Sequence, residues 1–452
     1  MNNNDEIINN IREIYQNAPA NKIHQLIAKH FIPSIEEKKN NAEIPTPIHL
    51  VEEMLEKMPE DFWKEKNKVF EPCCGKGNFV MKIFEKFYNG LADKYPEPSK
   101  RCKIIITKCL YYSDITPMNV FITTEILKCE IQSRTGNEKE LKYSFNSNVG
   151  NTLELNINKK WGVNNFDAII GNPPYNNSQN NVGKKGGGDL LWNKFVIHSI
   201  DLLKDNGYLI YVHPPGWRKP ESDKSKFKNL FDIMAKDNQI IYLEIHDTKD
   251  GMKVFNAGTR YDWYIIQKTK QFKNTIIKGD DGKIYNVDLS DWNFLPNSNF
   301  NIIEKMLFKN NNEKCKIIFN VSNYETRKEW VSNKKTSEYK YELIHSTPQS
   351  GTRYMYSSKN DKGHFGIKKV IFGDSGIYNS IIDIDGKYGM TQHSMGIEIE
   401  NNEEGIKIKK VLDSLKFKEI LNSCSWSNYQ IDWRLFTYFK KTFYEEIKKI
   451  IK

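Results

Sequence analysis

The 452-residue sequence predicts an α/β protein: a mostly parallel sheet covered on both faces, followed by a mixed α+β domain. Three observations carry that prediction. From about residue 47 to 267, short apolar runs alternate with amphipathic segments, the pattern of strand–helix–strand units. After about residue 270 the rhythm changes to short Asn- and Lys-rich segments, with turn signals such as Gly279-Asp280-Asp281-Gly282-Lys283 and Asp385-Gly386-Lys387. The length and the 38% hydrophobic content, 12% aromatic, suit two folded domains.

Taken in order, residues 1–34 read as helices, because Ile7, Ile8, Ile11, Ile14 and Tyr15, then Ile23, Leu26, Ile27 and Phe31, fall at helical spacing. Residues 36–43 (EEKKNNAE) read as a polar linker. This divides the chain into a helical extension (1–35), a first domain (36–270) and a second (271–452). Within the first domain, strands are expected at Lys68–Glu71, 103–115 (KIIITKCLYYSDI), Phe166–Gly171, 207–215, 239–247 and 260–269. Helices are expected at Phe79–Leu91, Asn119–Ile131, Leu190–Leu203 and Lys224–Ala235. The second domain closes with helix-like 404–421 and 437–452. No internal repeat is visible.

The net charge of +10 favours a polyanionic partner weakly. From 271 to 452 there are 29 Lys and Arg against 23 Asp and Glu, an excess of 6. Between Lys305 and Lys340 the count is nine against four, the best stretch for a phosphate-facing surface, though a solvated face reads equally well. The seven cysteines show no CxxC pairing, which suits free thiols in a reducing, cytoplasmic setting. No signal peptide, membrane-length run or metal-ligand spacing is present.

The chemistry concentrates at three expected strand ends. Phe166 to Ile170 runs into Gly171-Asn172-Pro173-Pro174-Tyr175, where two prolines without N–H groups must stop the strand. Upstream, 69–79 (VFEPCCGKGNF) is a strand, a Gly75-Lys76-Gly77 turn and a helix start, a place where backbone can approach a ligand closely. Between them, Asp114 ends the second strand, where a carboxylate can accept from ribose hydroxyls or cap the next helix. Ligands bind such sheets beyond the carboxyl ends of the strands.

Thr46-Pro47, Glu71-Pro72-Cys73-Cys74-Gly75-Lys76-Gly77, Asp114 and Gly171-Asn172-Pro173-Pro174-Tyr175, in this order, closely resemble the amino-methylating DNA methyltransferases. The match is to the γ arrangement, catalytic domain first, and within it to adenine-N6 enzymes of type II restriction-modification systems. It covers roughly residues 40 to 270. The resemblance implies a Rossmann-like S-adenosylmethionine-dependent sheet followed by a target-recognition domain, acting on double-stranded DNA. A cognate restriction endonuclease is a second candidate partner. It further implies cofactor contacts from Thr46, Glu71, Pro72, Cys73, Gly75, Asp114 and Asn172, with Glu71 near the methionine amino group and Asp114 on the ribose. Asn151 stands where many relatives carry an acid facing the cofactor's adenine amine, and Asn still offers an acceptor. Phe255 matches the family's second stacking aromatic, opposite Tyr175, although an ordinary core Phe is the competing reading.

The residues suit that chemistry on their own terms. An exocyclic purine amine is a poor nucleophile because its lone pair is delocalised into the ring. The Asn172 oxygen and the Pro173 carbonyl are two acceptors able to draw the nitrogen towards a tetrahedral shape. The rigidity of Pro173-Pro174 fixes their direction. Tyr175 offers a face on which a base rotated out of the duplex can stack. In the second domain, Arg327, Lys328, Arg353, Lys368, Lys369, Gln392 and His393 are of types that contact phosphates or base edges.

Rival motifs are weaker. Gly373-Asp374-Ser375-Gly376 has no matching His context for a serine hydrolase. Residues 183–189 (GKKGGGD) lack phosphate-loop spacing and read as a lid or a linker. Two other functions stay open: a protein-glutamine or RNA methyltransferase using the same Asn-Pro-Pro-Tyr chemistry, and a catalytically inactive DNA-binding protein retaining the fold. With no nuclease-like segment in the N-terminal residues, a stand-alone methyltransferase is expected.

Overall fold

The computed structural model describes residues 3–34, 44–136, 143–176, 190–221, 225–426 and 431–451. The linker read at 36–43 and the loop at 183–189 lie outside them. The chain divides into two compact units. The first comprises Met1–Pro215, Asn229–Lys278 and Asn286–Ser290, the second Gly216–Lys228, Gly279–Tyr285 and Asp291–Lys452.

The first unit is built on strands β1 (Val69–Glu71), β2 (Leu110–Asp114), β3 (Asn146–Val149), β4 (Phe166–Gly171), β5 (Leu203–His213), β6 (Gln239–His246) and β7 (Tyr261–Gln267), extended by β8 (Thr275–Lys278) and β9 (Ile284–Val287). Their order is β3-β2-β1-β4-β5-β7-β6-β8-β9. β1 lies parallel to both β2 and β4, whereas β7 runs antiparallel to β5 and β6. The central strands are buried on both faces, so they read as continuous apolar runs rather than alternating ones. Because the chain reverses outward from β1 towards β2 and from β1 towards β4, their carboxyl ends frame one crevice.

Two helices, Asn3–Asn17 and Ile23–His30, pack on the helix Pro117–Thr135 through Ile11, Ile23, Ile27 and Ile126. Their polar clamp is Glu130, which accepts from Tyr15 Oη at 2.7 Å and faces His24 Nε2 at 2.6 Å and Arg134 at 2.9 Å. Burial alone would raise its carboxyl, but these partners outweigh it and hold the group down at about 2.

Some elements differ from the sequence reading. Residues 103–109 are helical: a helix Pro98–Ile104 capped by Glu97 continues into a wider turn, Ile105–Cys109, and only from Leu110 is the chain a strand. A short apolar run has no periodicity to separate buried helix from buried strand. The helix expected at Lys224–Ala235 is confined to Leu230–Ala235, after Asn229 in a left-handed conformation. Thr248–Phe255 is an additional helix, capped by Asp247.

The second unit carries two four-stranded sheets. β10 (Ile317–Ile318), β17 (Ser394–Glu398), β14 (Lys369–Gly373) and β15 (Gly376–Asp383) form one. β11 (Val331–Ser332), β13 (Arg353–Ser357), β12 (Tyr341–Ser346) and β16 (Gly389–Met390) form the other. Where the spacing predicts one helix over 404–421, two follow, Asn402–Leu412 and Leu415–Ser423; Ser414 interrupts the run and caps the second. Residues 216–228 belong to this unit because the buried Arg218 guanidinium donates to the carbonyls of Leu295 and Pro296 and to Asn297 Oδ1.

Candidate active site

The crevice at the ends of β1, β2 and β4 holds a cavity of about 240 Å³. Thr46, Pro72, Cys73, Gly75, Asp114 and Asn151 line it, together with Asn172, Pro173, Pro174 and Tyr175. Residues separated by over a hundred positions meet there because parallel strands deliver their ends to one edge.

The turn after β1 needs its glycines. Gly75 (φ 49°) and Gly77 (φ 89°) are left-handed, and Gly77 opens the helix Asn78–Gly90. A Cβ at Gly77 would lie 3.1 Å from Thr123 Oγ1, so helix and turn approach closely. The Asp114 carboxylate braces this turn, accepting from Gly75 N–H at 2.9 Å through one oxygen and from Thr116 N–H at 2.8 Å and Asn119 Nδ2 at 3.2 Å through the other. Burial still raises it, against those donors and nearby Lys76. Asp114 is therefore not the helix cap: the helix starts at Pro117 with Thr116 before it.

Glu71 is fully buried and lies behind the cavity wall rather than lining it. One carboxylate oxygen accepts from Cys73 N–H at 3.1 Å, and Oε2 has no hydrogen-bond partner among the described residues. Burial, with Asp114 adding to it, pushes this carboxyl well above the usual range. The Cys73 thiol is likewise raised by burial and the two carboxylates, so it is no thiolate nucleophile.

At the end of β4 the Asn172 amide is oriented by its surroundings. Nδ2 donates to the Ile44 carbonyl at 3.0 Å and to Thr46 Oγ1 at 3.1 Å. A carbonyl can only accept, which fixes the nitrogen on that side and turns Oδ1 the other way. Oδ1 is buried with no partner among the described residues. Thr46 is held in turn by Asn78 Nδ2, which donates to its carbonyl at 2.8 Å. Tyr175 Oη is also buried without a hydrogen-bond partner among them; burial raises it and the neighbouring Asn172 opposes slightly, so the two side chains are close without bonding geometry.

Phe255 and Asn151 have other partners in the structure. Phe255 does not line the cavity; its ring packs edge-on to Tyr261 at 4.9 Å, against the main core. Asn151 lines the cavity; its Oδ1 accepts from Leu153 N–H at 3.2 Å and keeps a second lone pair, while its Nδ2 donates to Glu154 at 2.6 Å. The cavity also takes in Lys76, whose Nζ donates to Asn119 Oδ1 at 2.7 Å, and Phe195. Lys76 is signalled in the sequence by its place between two turn glycines. Phe195, in the first turn of the helix Trp192–Leu202, carries only core-like spacing.

In the second unit one of the seven candidates is corrected. Lys369 is fully buried, and its ammonium donates to His364 and Ile367 carbonyls and to Asp383 at 2.6 Å, so no donor is left for a phosphate. Gln392 pairs with Thr326, accepting from its N–H at 3.1 Å and donating to its hydroxyl at 2.9 Å, which leaves one amide hydrogen and one lone pair. Arg327 pairs with Glu325, and His393 lies 3.3 Å from Asp374. Arg353, Lys328 and Lys368 keep exposed or half-exposed positions. The Gly373–Gly376 turn is a hairpin tip in which Ser375 bonds Asp374 rather than a histidine.

Residues 108–255 match the family of Eco57I restriction-modification methylases. The match covers about a third of the chain. It is similar to an uncharacterized adenine-specific methylase of Mycoplasma pneumoniae, 25% identical over 332 residues, covering 60% of this chain and 78% of that protein. It is also 24% identical over 282 residues to the type II restriction enzyme and methyltransferase RM.Eco57I of Escherichia coli, covering 50% of this chain and 28% of that one. Two solved structures share the fold across both units. One is a nuclease-deletion mutant of the Type ISP restriction-modification enzyme LlaGI with a DNA substrate mimic (TM-score 0.51, 11% identity, 95% of this chain and 48% of that one). The other is a DrdV–DNA complex (0.50, 12%, 96% and 59%). This chain thus spans between about a quarter and four-fifths of these relatives. The α/β methyltransferase fold expected from the sequence is the one found. The matched residues take in the ends of β2 and β4. No helix among the described residues is long and apolar enough to cross a membrane.

Proposed function

We propose that the protein transfers a methyl group from S-adenosylmethionine to the N6 amine of adenine in double-stranded DNA, at a sequence selected by the second unit. The observation that carries this reading is the buried, unpartnered Oδ1 of Asn172, aimed by two donations from its own nitrogen. An acceptor left unsatisfied in a folded interior is uncommon and marks a place for a donor that arrives with the substrate. Asn172 Oδ1 and the Pro173 carbonyl take the two amine hydrogens and localise the nitrogen lone pair. Because Ile44 and Thr46 hold the amide beforehand, no reorganisation is needed during reaction. Tyr175 supplies the stacking face for the extruded base.

The residues present suit the cofactor. It supplies an electrophilic methyl on a sulfonium cation when bound. Two carboxyls raised by burial, Glu71 and Asp114, the first with a free oxygen, are both relieved by a cationic ligand. The Gly75–Gly77 turn allows close main-chain approach, and Asp114 keeps lone pairs for ribose hydroxyls. Thr46 is assigned a positioning role through Asn172. A restriction endonuclease partner belongs to the same reading, since the similar RM.Eco57I is both a restriction enzyme and a methyltransferase.

The test is direct. Purified protein is incubated with cofactor and unmethylated duplex, and modified bases are mapped by single-molecule sequencing. N6-methyladenine in one recurring sequence is the expected result. Methylation of RNA or of protein glutamine instead, or none on DNA despite cofactor binding, would overturn it.

A further inference from the structure

Within the second unit, three lysine ammonium groups gather around one tryptophan. Lys359, Lys328 and Lys362 lie 4.9, 5.5 and 5.8 Å from the centroid of the Trp330 ring. Like charges this close repel, and a ring quadrupole offsets only part of that. Lys362 has a carboxylate partner in Asp361 at 3.5 Å, itself exposed. Lys328 and Lys359 have no ion pair among the described residues.

The gathering is built rather than incidental. Trp330 Nε1 donates to the Asn323 carbonyl at 3.0 Å, and Asn323 Nδ2 donates to the Lys362 carbonyl at 2.5 Å. Lys362 N–H donates to the hydroxyl of buried Tyr324 at 3.0 Å, and Ser358 N–H to the Trp330 carbonyl at 3.1 Å. Three of these bonds stitch residues 358–362 to residues 323–330, and the fourth holds Trp330 within its own segment, which fixes where the three lysines leave the main chain. Across the sheet, Val331, Ser357 and Tyr341 share one register position, so Lys340, next to Tyr341 and 5.3 Å from its ring centroid, belongs to the same end of the sheet.

We propose that Trp330 with Lys328, Lys359 and Lys362 is a docking site for a backbone phosphate of duplex DNA. This rests on the DNA methyltransferase reading and adds where the second unit grips the duplex. One phosphate relieves the mutual repulsion, and Lys340 offers a further cation for the same strand. Contacts of this kind fix position and carry no base preference.

Binding of the full chain to a labelled duplex is measured by fluorescence anisotropy between about 50 and 200 mM salt. The parent is compared with Lys328→Gln/Lys359→Gln/Lys362→Gln, with Lys359→Gln alone in case the triple variant unfolds, and with exposed Lys410→Gln as a net-charge control. The expected result is a several-fold loss of affinity, equal on target and unrelated sequences. The slope of log affinity against log salt should become shallower by about 0.9 for each phosphate no longer neutralised. Lys410→Gln should keep the parent slope. A folded triple variant with parent slope and affinity, while the parent binds and methylates DNA, overturns the docking site. So does an equal loss in Lys410→Gln. A parent that neither binds nor methylates duplex overturns the functional reading itself.

Discussion

Asn172 and Lys369 are both polar side chains at the margin of a strand, and each donates into main-chain carbonyls. They end in opposite states. All three donors of the Lys369 ammonium are used, the last by buried Asp383. Asn172 spends its nitrogen and keeps an acceptor in hand. The first pattern closes a structure and the second leaves a seat. Residue type does not separate them, since Lys is the better phosphate binder by type and Asn the commoner turn residue. The count of satisfied donors and acceptors does.

The contrast can be broken at either end. The largest effect is expected from Lys369→Ala, which strands Asp383 and should destabilise the fold by about 3–5 kcal/mol in urea titration. DNA salt dependence of any folded fraction should match the parent. A stable variant with weakened DNA binding would return Lys369 to the interface.

Asn172→Ala should lower kcat by about 10²–10³ with cofactor affinity near that of the parent, because its contact forms with the reacting amine. Steady-state kinetics beside calorimetry separates the two, and near-normal turnover would remove the seat. Asp114→Ala comes next: it should weaken cofactor binding by about 1–3 kcal/mol and leave the duplex affinity alone. Unchanged cofactor affinity in a folded variant would make Asp114 purely a brace for the Gly75 turn.

The smallest and most specific effect belongs to Thr46→Val. One of the two acceptors that aim Asn172 disappears and the Ile44 carbonyl remains, so about 0.5–1.5 kcal/mol should be lost from kcat. Thr46→Ser should restore it. A loss in cofactor affinity instead, not rescued by Ser, would place Thr46 against the cofactor.

How much is legible in the sequence follows from the range of each interaction. The stop at the end of β4 is readable because Pro173 and Pro174 cannot continue a strand whatever surrounds them. The convergence of Gly75, Asp114 and Asn172 is readable because strand–helix alternation implies parallel strands with ends on one side. Residues 103–109 read as strand and fold as helix, since apolar content without period does not choose between the two. The Asn172–Thr46 bond joins residues 126 positions apart, and the Lys369–Asp383 pair depends on a hairpin register. Neither leaves a trace in local composition. Phe255 has the right place in a motif series, but the helix Thr248–Phe255 turns its ring to Tyr261.

Gly171 has a consequence for anyone who would redesign this edge. A Cβ there would lie 2.4 Å from Glu71 Oε1, and Glu71 is buried with little room to retreat. The last residue of β4 therefore acts as a spacer of zero width between the buried carboxylate on one strand and the amide on the next. Tuning either side by adding bulk at 171 would shift both at once. A library meant to retune the donor side should hold 171 fixed and vary positions on the far wall, such as Phe195, where a ring can change without moving that joint.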